Sequence, residues 1–300
     1  MSASRLPVYA IEMVCLGLFM ISAVLWTTAI EHPASVVRQA IQDPLTRRAL
    51  VGLAMAVTAA ALIYSPWGQR SGAHMNPAVT LTFLRLGKVM PRDAACYLLA
   101  QFMGGAGGLF VAVAASGRLA MDPAVNYVAT RPGAAGVTVA FVAELAISFL
   151  LMLTVLVVSN TPRLARYTGL AAAALVALYI TFEAPLSGMS MNPARSLAPA
   201  VAARTLDSLW IYVIAPPLGM LLAAEVYRRT RGDDAVRCAK LHHGPGACHF
   251  RCTARADPAG VLSAHLFSAG DRRASAEPNA GSWELEAGSW ELERCPTTTT

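Results

Sequence analysis

The sequence predicts an all-α membrane protein with six spanning helices and two re-entrant half-helices. Three observations indicate this fold class: long apolar segments recur, one short phrase occurs twice, and the two halves of the chain repeat each other. Each long segment approaches the ~20 apolar residues that a helix needs to cross a bilayer. The segments lie at about 9–30, 48–65, 94–115, 137–159, 168–184 and 209–228. The composition is also typical of a membrane protein, since 55% of the 300 residues are hydrophobic and 14% are charged.

The first segment is interpreted as a retained span. It is longer than the apolar core of a secretory signal, contains Glu12 and ends without a clear small-residue cleavage site. Arginines cluster after the fourth and sixth segments, at Arg163, Arg166, Arg228, Arg229 and Arg231. With six spans, this bias predicts that both termini lie in the cytoplasm. The net charge of +6 therefore reflects membrane topology, and no nucleic-acid partner is expected.

The repeated phrase, Asn-Pro-Ala, opens two short apolar segments near 76–86 and 192–203. Asparagine is a favoured helix N-cap, and proline fits the first helical position because it has no N–H to leave unpaired. At ~1.5 Å per residue, ten residues cover about half of the ~30 Å hydrocarbon core, so each segment can form only a half-helix. Two half-helices that enter from opposite faces complete a seventh, broken span. The candidate pore residues of this motif are Asn76, Pro77, Ala78, Asn192, Pro193 and Ala194.

The two halves of the chain repeat in order. Glu12 in the first segment corresponds to Glu144 in the fourth. Three spans per half is an odd number, so the second half must be inverted relative to the first, a known plan for proteins that move solutes across membranes. We therefore assign residues 1–228 to one membrane domain, with halves at about 1–115 and 137–228.

Together, these features resemble the aquaporins, the major intrinsic proteins, over about residues 1–228. The set is specific: two Asn-Pro-Ala motifs, Arg195 directly after the second, and a glutamate in spans one and four. The resemblance implies a passive channel for water, with other small uncharged solutes left open, that excludes ions and protons. It implies a homotetramer in a lipid bilayer, no enzyme activity and no cofactor required for transport.

The resemblance also implies roles for individual residues. Asn76 and Asn192 would present side-chain N–H groups to the solute, and His74 would either line the vestibule or support its loop. Arg195 would stand at the outer constriction, where its charge repels cations. The rest of that filter is predicted at Ile180, Met189 and either Met55 or Ala56. Ile180 replaces the histidine common in water channels, which weakens the case for strict water selectivity.

Glu12 and Glu144 leave two interpretations open. In the resembled family, such buried acids accept hydrogen bonds from the re-entrant loops, whose polar groups would otherwise be unsatisfied. A secondary transporter would instead use one of them as a proton carrier. A glycerol or small-solute facilitator is the other alternative, although Ser196 stands where facilitators usually have aspartate.

After span six the chain becomes polar. Residues 229–252 form a cytoplasmic Cys/His-rich segment with the pattern Cys-x3-His-His-x4-Cys-x3-Cys. Its ligand types suit Zn²⁺, with Cys238, His242, Cys248 and Cys252 as the first candidates, although the spacing matches no standard zinc finger. Reduced thiols on a flexible tail are the alternative. Residues 253–300 lack hydrophobic periodicity and are expected to be disordered. The short loops favour a bacterial plasma membrane.

Overall fold

The computed structural model describes residues 5–244 and 248–253. Within these ranges, six helices are long and apolar enough to cross a membrane. They are Leu6–Glu31, Pro44–Tyr64, Pro91–Ser116, Val137–Ser159, Ala165–Ser187 and Leu209–Arg231, called spans one to six. Every predicted span is present. The chain is therefore a multi-pass membrane protein, and the predicted all-α fold class is confirmed.

Two short helices start at the Asn-Pro pairs, as predicted: Pro77–Arg85 and Pro193–Ala202. Asn76 caps the first half-helix, where its Oδ1 accepts the Ala78 N–H at 2.8 Å. Asn192 caps the second in the same way, and its Oδ1 accepts the N–H groups of Ala194 and Arg195. Both half-helices therefore direct their positive N-terminal ends toward the point where the two loops meet.

The two halves of the chain pair their helices in the same way. Span one packs against span three, and span four packs against span six. A Cβ added to Gly104 would lie 2.2 Å from the Met13 carbonyl oxygen, and one added to Gly219 would lie 2.3 Å from that of Leu145. Glycine at these positions lets the helix backbones touch. Met13 and Leu145 directly follow Glu12 and Glu144. The close packing of span one on span three, and of span four on span six, therefore fixes the position of both carboxylates along the helix axes.

Large apolar side chains also cover the outside of the helix bundle. They include Leu53, Val57, Leu99, Met103, Phe110, Val142, Phe182 and Leu222, all more than one third exposed. An apolar surface of this extent suits contact with lipid tails, and not with water.

Span six ends at Arg231, three residues later than predicted. The tail segment, residues 232–244 and 248–253, contains one short 3-10 turn at Asp233–Ala235 and otherwise irregular backbone. Of the stretch expected to be disordered, only Thr253 is described. The rest, residues 254–300, lies outside the described residues.

Candidate functional site

The two Asn-Pro-Ala loops are joined by reciprocal hydrogen bonds. Asn76 Nδ2 donates to the Met191 carbonyl oxygen at 2.7 Å, and Asn192 Nδ2 donates to that of Met75 at 2.7 Å. Each asparagine thus caps its own half-helix with Oδ1 and binds the opposite loop with Nδ2. An asparagine amide carries two N–H donors, so one on each side chain remains after the contact with the opposite loop.

Each loop before a half-helix holds two non-glycine residues in the left-handed region. The φ angles are 55° and 47° at Ala73 and Met75, and 53° at both Met189 and Met191. Such conformations cost about 1–3 kcal/mol each and persist only where the surroundings impose them. The matching positions in the two loops indicate that the inverted repeat conserves this backbone shape as well as its residues.

The buried carboxylates impose that shape. Glu12 accepts the backbone N–H groups of His74 and Met75, at 3.1 and 2.7 Å, and the Ser71 hydroxyl at 2.7 Å. Its Oε2 also accepts Gln101 Nε2 at 3.0 Å. Both loops lie deep in the helix bundle, so these carboxylates supply the acceptors that their backbone would otherwise lack.

Glu144 makes the equivalent contacts in the second half. It accepts the backbone N–H groups of Ser190 and Met191, at 2.6 and 2.8 Å, and the Ser187 hydroxyl at 2.8 Å. Two tyrosines extend the symmetry, because Tyr97 and Tyr212 donate to the Ser71 and Ser187 carbonyl oxygens, each at 2.5 Å. The sequence analysis did not identify these tyrosines as loop supports. Their nearly equal spacing from the two serines, 26 and 25 residues, was the available signal.

A cavity of about 340 Å³ runs past the meeting point of the loops. Both asparagines line it, together with many apolar residues. Four of the five predicted filter residues also line it: Arg195, Ile180, Met189 and Met55. Ala56, the alternative to Met55, instead packs against Ala59 and Ala173 between spans two and five. The structure therefore selects Met55 for the cavity wall.

Arg195 is held at the end of the cavity that also contains Glu31 and Arg48. Its guanidinium donates to the Val128 carbonyl oxygen at 3.0 Å, and its side chain lines the cavity. Arg48 donates to the Thr181 carbonyl oxygen at 3.1 Å. Glu31 pairs with Arg47 at 3.0 Å. Neither Arg48 nor Glu31 was predicted in the site, because their positions near helix ends indicate only solvent contact.

His74 stands at the opposite end of the cavity, called here the His74 end. Its Nδ1 lies 3.0 Å from Thr80 Oγ1, and its Nε2 donates to the Ala239 carbonyl oxygen at 2.8 Å. Leu241, from the same tail segment as Ala239, also lines the cavity. His74 therefore both lines the cavity and supports its loop. The contribution of the tail segment was not predicted.

The tail segment brings together three of the four predicted metal ligands. The sulfur atoms of Cys238, Cys248 and Cys252 all lie within 4.8 Å of one another. The Cys238 and Cys248 thiols lie within hydrogen-bond distance at 3.5 Å, and this contact lowers the pKa of Cys248 and raises that of Cys238. His242 lies outside this group, with its ring packed edge-on against Tyr64 at 4.6 Å between centroids.

The membrane domain matches a known family, and parts of it match individual relatives. Residues 5–227 match the family model described as major intrinsic protein. The chain is 37% identical to aquaporin NIP2-3 of Zea mays over 180 residues, which is 60% of this chain and 58% of the relative. It is 35% identical to aquaporin NIP1-4 of Oryza sativa subsp. japonica over 187 residues, which is 61% of this chain and 66% of the relative. The matches thus span about three fifths of the length of these relatives.

One solved structure shares the fold. The X-ray structure of the aquaglyceroporin from Plasmodium falciparum aligns with a TM-score of 0.61 and covers 74% of this chain and 95% of that chain. Sequence identity in this alignment is 20%, so the likeness shows the arrangement of helices and not the solute.

Proposed function

The chain belongs to the major intrinsic protein family, and from this premise we propose that its membrane domain is a passive channel for water and small neutral solutes. The family consists of passive transporters, so the chain is not an enzyme. The observation that carries the proposal is the pair of cross-bonded Asn-Pro-Ala loops, whose asparagines both line the cavity. Water would pass through that cavity down its gradient, with no chemical step.

The asparagines would replace part of the hydration that a solute loses in the pore. Each retains one N–H beyond its bond to the opposite loop, and both side chains line the cavity. These donors suit a solute oxygen and offer nothing to a cation. The two half-helix N-termini add positive potential at the same place, which raises the energy of a proton or metal ion there.

Arg195 would reinforce this exclusion at the filter. Its fixed charge lines the same cavity as Ile180, Met189 and Met55, which carry no side-chain acceptor for a strong hydrogen bond. A cation that leaves bulk water would therefore meet repulsion without compensating ligands. A neutral solute with a polar oxygen could instead accept from the guanidinium.

A second candidate is conduction of neutral solutes larger than water, such as glycerol or urea. The observation that favours it is Ile180, which lines the cavity where the resemblance leads one to expect histidine. Replacing an imidazole with an aliphatic side chain removes a polar group from the wall. Solute choice in such pores depends on diameter and lining polarity, so the apolar wall favours solutes with some carbon surface.

We also propose the orientation and assembly that the sequence predicts. Basic residues concentrate on the face that carries the tail segment, at Arg5, Arg70, Arg85, Lys88, Arg92, Arg163, Arg166, Arg228, Arg229 and Arg231. The positive-inside rule then places this face and both termini in the cytoplasm. A homotetramer is proposed from the family resemblance, and light scattering of the detergent-solubilised protein tests it. The relatives named above are plant proteins, so they lend no support to a bacterial membrane.

Stopped-flow light scattering on proteoliposomes tests the channel. We expect osmotic shrinkage faster than in empty liposomes when an impermeant osmolyte is added, with flux linear in the gradient. Glycerol and urea gradients, run in parallel, then decide between water alone and the wider solute range. Shrinkage no faster than in empty liposomes refutes the channel. Saturable flux or a need for a proton gradient would instead favour a secondary transporter, with Glu12 or Glu144 as the carrier.

A further inference from the structure

The tail segment docks directly onto the His74 end of the cavity. Besides the bond from His74 to the Ala239 carbonyl, the Leu241 N–H donates to the Gly72 carbonyl oxygen at 3.2 Å. The Phe250 ring stacks on the His74 ring at 5.4 Å between centroids, with 12° between their planes. Ala239, Leu241 and Phe250 are all buried. The segment thus covers the same loop that forms this end of the cavity.

The tail segment makes two further backbone hydrogen bonds to the membrane domain. The Arg237 N–H donates to Asn160 Oδ1, beyond span four, at 2.6 Å. The Arg251 N–H donates to the Lys88 carbonyl oxygen, just before span three, at 3.1 Å. The described residues of the segment therefore contact the first loop, the chain after span four and the turn before span three, and Leu241 lines the cavity itself.

Little regular structure holds this segment in shape. Its described residues contain one 3-10 turn, and the Thr253 N–H donates to the Arg237 carbonyl oxygen at 2.9 Å between its two arms. The segment is ordered by its contacts with the membrane domain, and a short irregular chain of this kind gains further constraint when a metal or a disulfide joins its parts. A cross-link between the arms would add to the hydrogen bonding that joins Thr253 to Arg237.

The three thiols occupy the position for such a cross-link. Cys238 lies on the first arm, and Cys248 and Cys252 lie on the second. A tetrahedral zinc ion with Zn–S bonds of about 2.3 Å holds its sulfur ligands roughly 3.8 Å apart. The observed 3.5 Å from Cys238 to Cys248, with all three sulfurs within 4.8 Å, is close to that spacing. The Cys238–Cys248 sulfur distance is also too long for a disulfide, whose S–S bond is about 2.05 Å.

We propose that Cys238, Cys248 and Cys252 bind a thiophilic metal ion of the zinc class, and that the bound ion fixes the tail segment across the His74 end of the pore. Three thiolates supply three ligands, and water completes the tetrahedron. The ion ties the two arms together, which stabilises the docked conformation and closes the pore. The closure rests on the proposed channel function, whereas the metal site does not.

Metal binding is measured first, without transport. The full-length protein, purified with a phosphine reductant to keep the thiols reduced, is incubated with Zn²⁺, gel-filtered and analysed for metal by mass spectrometry. We expect one zinc per chain in the wild type and loss of that zinc in Cys248→Ser and Cys252→Ser. Cys96→Ala, which changes a cysteine in span three, serves as the matched control and should retain it. Elution at the wild-type volume shows that each variant is folded.

Closure is then measured by stopped flow on the same preparations. We expect Zn²⁺ to slow osmotic shrinkage of wild-type and Cys96→Ala proteoliposomes, and a chelator to restore it. Cys248→Ser and Cys252→Ser should conduct with or without zinc. Phe250→Ala, which keeps all three thiols but removes the ring stacked on His74, should bind zinc yet respond less to it.

The outcomes separate the parts of the proposal. A wild-type chain that binds no zinc overturns the metal site. Zinc that binds with unchanged shrinkage supports the site and overturns the closure. Failure of every preparation to exceed empty liposomes, with chelator present, counts against the channel itself, and the zinc content still decides the site.

Discussion

Glu144→Gln removes one acceptor from the support of the second loop and changes little else. The carboxylate accepts Ser187 Oγ and the Ser190 N–H on Oε1, and the Met191 N–H on Oε2. Glutamine has the same shape but only one oxygen, so its amide nitrogen must face at least one of these donors. A hydrogen bond to a charged group contributes about 1.5–3 kcal/mol, and the donor left behind is buried. We therefore expect Glu144→Gln to destabilise the protein by about that amount.

Glu144→Gln should also affect the pore, because the hydrogen bond from the Met191 N–H to Glu144 holds Met191 in its strained conformation. Met191 has a φ of 53°, and its carbonyl oxygen accepts Asn76 Nδ2. Without its carboxylate partner, the backbone at Met191 can relax, and the cross-bond to Asn76 weakens with it. Water permeability should fall together with stability. Glu12→Gln, at the symmetric position, should act in the same direction on the first loop.

The assay is thermal unfolding of the detergent-solubilised protein, followed by stopped flow on the same variants. For a protein of this size, about 1.5–3 kcal/mol corresponds to a fall in Tm of roughly 3–6 °C. Glu225→Gln is the control, because Glu225 lies in an exposed cluster with Arg85, Arg228 and Arg229. Exposed ion pairs contribute about 0–1 kcal/mol, so this control should change Tm little. Equal Tm values for Glu144→Gln and Glu225→Gln would refute the reasoning.

Four further substitutions test the helix packing and the predicted filter. Gly104→Ala should destabilise the protein by about 1–3 kcal/mol, since its Cβ would lie 2.2 Å from the Met13 carbonyl oxygen. Gly107→Ala, with nothing within 4 Å of its Cβ, should not lower Tm, because alanine fits there and favours the helix more than glycine does. Arg195→Val should allow proton flux, measured with a pH dye inside the vesicles. A proton leak equal to that of the wild type would contradict the proposed role of Arg195 in excluding cations. Ile180→His should slow glycerol more than water, and equal slowing of both argues against a filter position.

The sequence by itself determined the spans and the half-helices. Span length is set by bilayer thickness, and an Asn-Pro pair sets a helix start through local hydrogen bonding, so both can be predicted from neighbouring residues alone. The inverted repeat followed from counting three spans on each side. Pairing Glu12 with Glu144 also needed only the repeat. Their partners in the loops came from family resemblance, and the structure adds the individual donors.

The tertiary structure decided whatever depends on helix rotation or on contacts distant in sequence. Met55 and Ala56 are neighbours in the chain, but successive residues on a helix point about 100° apart, and only the packing of span two selects Met55 for the cavity. Likewise, the Cys/His pattern alone predicted His242 as a metal ligand, whereas in the folded tail segment the His242 ring packs against Tyr64. The docking of that segment at His74 could not be predicted, because it is irregular chain without periodicity. Its position is set by the surface on which it folds.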